Sequence, residues 1–245
     1  MSKRRQFIIS TGSTMAATAM ASGGDAADNK PLLSFGLIAD CQYADVASSG
    51  TRLYRQSAKK LEDAVNELNR HELKFSLHLG DFIDRDFNSF SELKPITNRL
   101  KSKLHHTLGN HDFEVEESLR SRVPAALGLA TTYYALRHEG FRFLILDTTE
   151  VSTYRYRGDD DATANAHREL RALATAGKSY AQPWNSRISD TQVLWLTEQL
   201  QDATDAGESV LAFGHHPILP EEAHCSWNCG MLHKLLSRFP CCKAY

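Results

Sequence analysis

The chain has few cysteines, little net charge and no long apolar run, and each shortage closes off a class of protein. Five cysteines, an odd number, do not make a disulfide framework in 245 residues. Cys225 and Cys229, with His224 beside them, read as an incidental pair, because no second pair has the spacing of a zinc site. Cys241 and Cys242 read as filler in a strand. No stretch is long and apolar enough to span a bilayer. A formal charge of -2, with no block of Lys and Arg beyond the N-terminus, argues against nucleic acid or an anionic membrane as partner. What remains is 42% hydrophobic and 24% charged, without an internal repeat, which is the balance of a globular protein built around one sizeable core.

The N-terminus stands apart. Arg4 and Arg5 precede a mildly apolar run, Ile8 to Ala21, that ends in the small-x-small pattern Ala19-Met20-Ala21. The order of charge, apolar run and cleavage pattern resembles a twin-arginine export signal over residues 1–21, followed by a small, polar linker over 22–31. The expectation is a periplasmic or secreted protein that crosses the membrane already folded. Without those residues the chain carries 25 basic against 30 acidic side chains, a net of -5.

Along residues 32–245 one event recurs: an apolar run stops and polar donors follow. Leu32 to Ile38 runs into Asp40 and Gln42. Phe75, Leu77 and Leu79 alternate as a strand that stops at Gly80, and Asp81 and Asp84 follow. His105 to Leu108 ends in Gly109, Asn110, His111 and Asp112, and Ser209 to Phe213 ends in Gly214, His215 and His216. Between the first two strands, Tyr54, Ala58, Leu61, Val65 and Leu68 recur at helical spacing, so the unit reads β-α-β with parallel strands and both carboxylates on one edge. Helices are also expected over Phe90 to Leu100, Asp190 to Ala203 and Cys229 to Phe239. Ser189 would cap the Asp190 helix, whose apolar face is Val193, Leu194, Leu196 and Leu200. Thr132 to Leu136 and Phe141 to Leu146 alternate as a hairpin that marks a second, antiparallel element. Ala162 to Ala176 reads as a helix or a lid-like insertion, Tyr180 to Arg187 as a loop and Cys241 to Tyr245 as a strand. The fold class is α/β.

Carboxylate, amide oxygen and imidazole together suit Mn, Fe or Zn better than calcium, which prefers oxygen alone. Two such ions, about 3.5 to 4 Å apart, make a site for in-line displacement at phosphorus, one activating water and both neutralising charge on the phosphate oxygens. Hydrolysis of a phosphate ester or anhydride is the chemistry these residue types imply.

The ordered motifs Asp-x-Gln (Asp40, Gln42), Gly-Asp-x-x-Asp (Gly80 to Asp84), Gly-Asn-His-Asp (Gly109 to Asp112) and Gly-His-His-Pro (Gly214 to Pro217) resemble those of the calcineurin-like metallophosphoesterases over residues 34–245. The superfamily's first motif usually ends in His. Gln42 in that place, with the surrounding Phe35 to Asp45, resembles the manganese-dependent ADP-ribose/CDP-alcohol diphosphatases, as do His105 to His111, Ile188 to Leu196 and Cys225 to Asn228. The resemblance implies a four-layer α/β/β/α sandwich and two divalent metal ions, with manganese preferred. It implies that Asp40 and Gln42 hold one metal, that Asp81 bridges, and that Asn110 and His215 hold the second. His111 would sit beside the leaving group as proton donor or positive partner, and Asp112 would orient it. Asp84 would support the ligands rather than bind, and His216 would either do the same or be structural. The implied substrate is a small nucleotide-linked phosphate compound, met by the loops over 43–52, 150–187 and 218–228.

One departure bears on activity. The superfamily's last motif, Gly-x-His or Gly-His-x-His, supplies a histidine to each metal after a strand like the one starting at Cys241, and it does not occur before Tyr245. The expectation is a shortened member whose site lacks two imidazoles and whose second sheet lacks its closing strands. Three readings stay open: a hydrolase of nucleoside-diphosphate-linked substrates, a broader phosphodiesterase or phosphomonoesterase, and a folded metal-binding protein without activity.

Overall fold

The computed structural model describes residues 17–20 and 33–245. The rest of the expected export signal and all of the expected linker lie outside them.

Two four-stranded sheets face each other. The first has the order β1 (Ala17–Met20), β2 (Ser34–Ile38), β3 (Ser76–His78), β4 (Leu104–His106). β1 runs antiparallel to β2, within the stretch read as an export signal, and β2, β3 and β4 run parallel. Parallel strands need crossovers, and α1 (Gln56–Leu68) and α2 (Ser89–Thr97) supply them. Tyr54 is buried but precedes α1, which starts later than the apolar spacing implies.

The second sheet has the order β5 (Tyr134–His138), β6 (Phe141–Ile145), β7 (Ser209–Phe213), β8 (Cys242–Ala244). Only the β5–β6 hairpin is antiparallel; β6, β7 and β8 are parallel. Its helices are α4 (Asp161–Thr175), α5 (Asp190–Asp205) and α6 (Cys229–Ser237), with a short α3 (Val123–Ala126) earlier in the chain. The Ala162 to Ala176 stretch is thus a helix, capped by the Asp160 side chain, and its Ala166 joins the core under α5 and α6.

Alternation along each strand explains the layers. In β6, Phe143 and Ile145 meet Phe35, Phe75 and Leu77 between the sheets, while Leu144 joins Leu196, Leu200, Leu232 and Leu236 beneath the helices. Phe75 packs edge-on against Phe143 at 4.9 Å between ring centroids and stacks on Phe35 at 5.3 Å. On the far side, Leu61, Val65, Leu68 and Leu93 of α1 and α2 cover Ile38 and Leu108. The order helix, sheet, sheet, helix is the expected four-layer sandwich. Ser189 caps α5 as expected, but Leu194 is 67% exposed; the buried face is Gln192, Leu196, Leu200 and Ala203. Residue 194 lies two helical steps, about 200°, from residue 192 and so points to the opposite side. Among the described residues no helix is long and apolar enough to cross a membrane.

Candidate metal centre

Because β2, β3 and β4 are parallel, their carboxyl ends share one edge, and the end of β7 meets that edge from the other sheet. The loops there are held in unusual conformations. Asp40, Gln42 and Asp81 all take positive φ, at 52°, 45° and 57°. Such backbone costs about 1–3 kcal/mol per residue and persists where the surroundings enforce it. Here backbone bonds continue past the strands, Asp40 N–H to the Gly80 carbonyl (3.3 Å) and Gln42 N–H to that of Asp81 (2.8 Å).

Acceptor atoms converge on one point. One ligand atom each from Asp40, Asp81 and His215 lies within 4.8 Å of the others. The His215 Nδ1 sits 2.9 Å from the Leu79 carbonyl, which accepts its N–H and turns Nε2 toward the site. That nitrogen faces Asn110 Oδ1 at 3.1 Å and Asp81 Oδ1 at 3.4 Å. Two oxygen acceptors around it call for a positive charge there, a proton on the ring or a metal ion beside it. Gln42 donates its amide N–H to Asp81 Oδ2 at 2.8 Å, which leaves its oxygen free. The field agrees. Burial opposes charge on His215, yet Asp81 and Asp40 raise its pKa above the ordinary 6.5. Burial likewise pushes Asp81 up, but His215 and His111 outweigh it and hold the carboxyl below its usual range. Asp40 is raised by burial and by Asp81 beside it, against the pull of His215. Two carboxylates, an imidazole and two amide oxygens fit divalent ions; ligand atoms of Asp40, Asp81, His215 and Asn110 come together, and Gln42 reaches the same place through its amide nitrogen on Asp81.

A second group, Asp84, His111 and Glu114, also converges within 4.8 Å. It already holds a positive charge. Arg52 Nη1 donates to Asp84 Oδ2 at 3.2 Å, and Arg52 Nη2 lies 2.9 Å from His111 Nε2. Asp84 is sealed from solvent and lies 3.4 Å from His111 Nδ1, with Glu114 Oε1 at 3.1 Å on the same nitrogen. Burial lowers the His111 pKa, but these carboxylates raise it to about 10 overall.

The expectation that Asp112 orients His111 needs correction. The fully buried Asp112 carboxylate accepts backbone N–H groups from Asp81, Phe82, Ile83 and Gly109 at 2.8–3.2 Å, so it shapes the Asp81 loop, while Asp84 and Glu114 face the His111 ring. His216 is structural. Its Nδ1 takes the Thr148 hydroxyl at 3.1 Å and its Nε2 donates to the Trp184 carbonyl at 3.2 Å, tying β7 to the loop over 180–187. Arg52, Glu114 and the Leu79 carbonyl are site groups that sequence reasoning missed. Only Arg52 carried a signal, a basic residue inside a loop assigned to substrate.

Two packed sheets with metal donors at the carboxyl ends of their strands define a metal-dependent phosphoesterase. The chain belongs to the calcineurin-like phosphoesterase family, whose model matches residues 33–240. It is similar to manganese-dependent ADP-ribose/CDP-alcohol diphosphatases from Mus musculus, 30% identical over 82% of this chain and 72% of that protein, and from Oryza sativa, 28% identical over 89% and 77%. The crystal structure of a dimetal phosphatase from Danio rerio superimposes with a TM-score of 0.75 at 25% identity, covering 87% of this chain and 80% of that one.

Proposed function

We propose that this phosphoesterase cleaves the diphosphate linkage of nucleoside-diphosphate-linked compounds such as ADP-ribose or CDP-alcohols, with manganese as the working metal. The observation that carries the reading is the convergence of Asp40, Gln42, Asp81, Asn110 and His215, with an amide at 42. Its relatives' names supply the substrate class and the metal. Divalent ions held by these donors supply Lewis acidity and neutralise phosphate charge. The chain's own residues do the rest. The Leu79 carbonyl fixes the His215 ring, and Asp112 fixes the loop that presents Asp81. His111, with Asp84 and Glu114 behind its Nδ1, presents Nε2 to the leaving group.

The test is release of AMP from ADP-ribose by the full chain with manganese, beside the Asp81→Asn variant. Loss of at least about a hundredfold in the variant is expected, as for removal of a group that organises transition-state charge. Equal rates in the two proteins would sink the reading. Export through the twin-arginine route is proposed with it, on Arg4, Arg5 and the Ala19-Met20-Ala21 pattern.

A further inference from the structure

Arg52 lies on the loop between β2 and α1, and nothing in the metal centre requires it. Its guanidinium is anchored on one side and open on the other: Nη1 donates to Asp84, whose side chain has no solvent exposure, while the Arg52 side chain keeps 40% of its own. Nη2 points at His111 Nε2, 2.9 Å away. That partner is a poor one for a cation, since a nitrogen that donates a proton to the leaving oxygen carries a hydrogen and cannot accept one from Arg52. Arg85, the other guanidinium near Asp84, is engaged elsewhere; its Nη2 donates to the Tyr54 hydroxyl at 3.1 Å and its plane lies over the Tyr54 ring.

Contacts run from Asp81 to His111 to Arg52: His111 Nε2 lies 4.0 Å from Asp81 Oδ2 in the metal centre and 2.9 Å from Arg52 Nη2. A diphosphate has the same order: the attacked phosphorus, the bridging oxygen that leaves, and the second phosphorus. With the attacked phosphate at Asp81 and the bridging oxygen at His111, the second phosphate falls at Arg52. We propose that Arg52 binds this second, non-attacked phosphate, so that the site is built for a diphosphate rather than a single phosphate. Nη1 stays on Asp84 and Nη2 turns from His111 to the phosphate oxygen, a charge-assisted bond in place of a contact between two donors. The planar fork suits this double duty and an ammonium does not. The inference deepens the diphosphatase reading and rests on it.

Calorimetric titration of the manganese-loaded protein with methylenediphosphonate, and separately with orthophosphate, tests it in wild type, Arg52→Met and Arg52→Lys. The Met variant should bind the diphosphonate at least about tenfold more weakly, the loss of one hydrogen bond between charged groups, with orthophosphate changed less than about threefold. Lys should fall between, and it keeps a cation beside Asp84 if the Met variant folds poorly. Equal weakening of both ligands, an unchanged diphosphonate affinity, or no diphosphonate binding by wild type would each overturn the proposal. Cleavage of ADP-ribose and of bis(4-nitrophenyl) phosphate by the same preparations separates the two readings. A wild type that binds diphosphonate through Arg52 yet leaves ADP-ribose intact keeps the role of Arg52 and loses the diphosphatase. A wild type that cleaves ADP-ribose, with KM raised no more for it than for the diester in Arg52→Met, does the reverse.

Discussion

The metal centre depends on backbone that approaches unusually closely. Gly80 has φ of 91°, and a Cβ there would sit 2.7 Å from His215 Nδ1 and 2.8 Å from the Gly109 amide nitrogen. A Cβ on Gly109 would overlap the Asp81 amide and its Oδ1. Neither neighbour can swing away, because both are held by Asp112 or by the site itself. Gly109→Ala should therefore cost about 1–3 kcal/mol, the range for overpacking, and weaken manganese binding in calorimetry at the same time. Gly128→Ala, at positive φ but with nothing within 4 Å, is the control, and it should lose stability without losing metal. Metal affinity unchanged in Gly109→Ala would show that the Asp81 loop is not fixed by this contact. These glycines were legible, since an apolar alternation that stops at Gly before Asp or Asn marks a strand end. Asp112 was not. It shares one helical turn with His111, yet the two side chains serve different elements. Nor were the partners of Arg52, which come 32 and 59 residues later with no pattern joining them.

At the scale of elements, alternation made most strands readable, and it misled where a polar residue took a core place. Gln192 sits on the buried face of α5 because its amide spans the Asp147 amide N–H and carbonyl, closing the end of β6. No hydropathy pattern announces that. β3 and β4 carry a sharper exception, His78 directly across from His106, ring centroids 5.7 Å apart, with both His78 nitrogens lacking a partner. Burial, then His106 and His215, hold the His78 pKa well below 6.5, and burial with His105 lowers His106 to about 3. The folded chain thus keeps His78 neutral where the unfolded chain takes up a proton. Its contribution is complete above the ordinary pKa of 6.5 and is lost as pH falls below it, at up to about 1.4 kcal/mol per unit. His78→Leu removes that proton. The variant's melting temperature should fall less than wild type's between pH 7 and pH 5, by about 4–8 °C for roughly 2 kcal/mol. Parallel falls in the two proteins would mean that His78 is already protonated or hydrated in the fold.

The whole molecule is two sheets whose shared edge is the metal centre. Sequence showed four strand ends with donors, and the β-α-β unit explained why those of β2 and β3 are neighbours. Spacing alone could not bring β7 beside them, because His215 reaches the Leu79 carbonyl from 136 residues away and belongs to the other sheet. Only the resemblance to a family supplied that juxtaposition. The consequence is thermodynamic, since Asp40, Asp81 and Asn110 come from the first sheet and His215 from the second, and an ion held by all of them cannot bind the unfolded chain equally well. At a manganese concentration a hundredfold above its dissociation constant the native state should gain about 2.7 kcal/mol. For a chain of this size that is a rise of about 5–10 °C in melting temperature, reversed by EDTA. Asp81→Asn should melt as a folded protein but respond far less, because the carboxylate that faces His215, His111 and Gln42 has lost its charge. A wild type that melts alike with manganese and with EDTA would show that these donors, though close, do not form a working site. A response kept in full by Asp81→Asn would place the ion somewhere other than between the sheets.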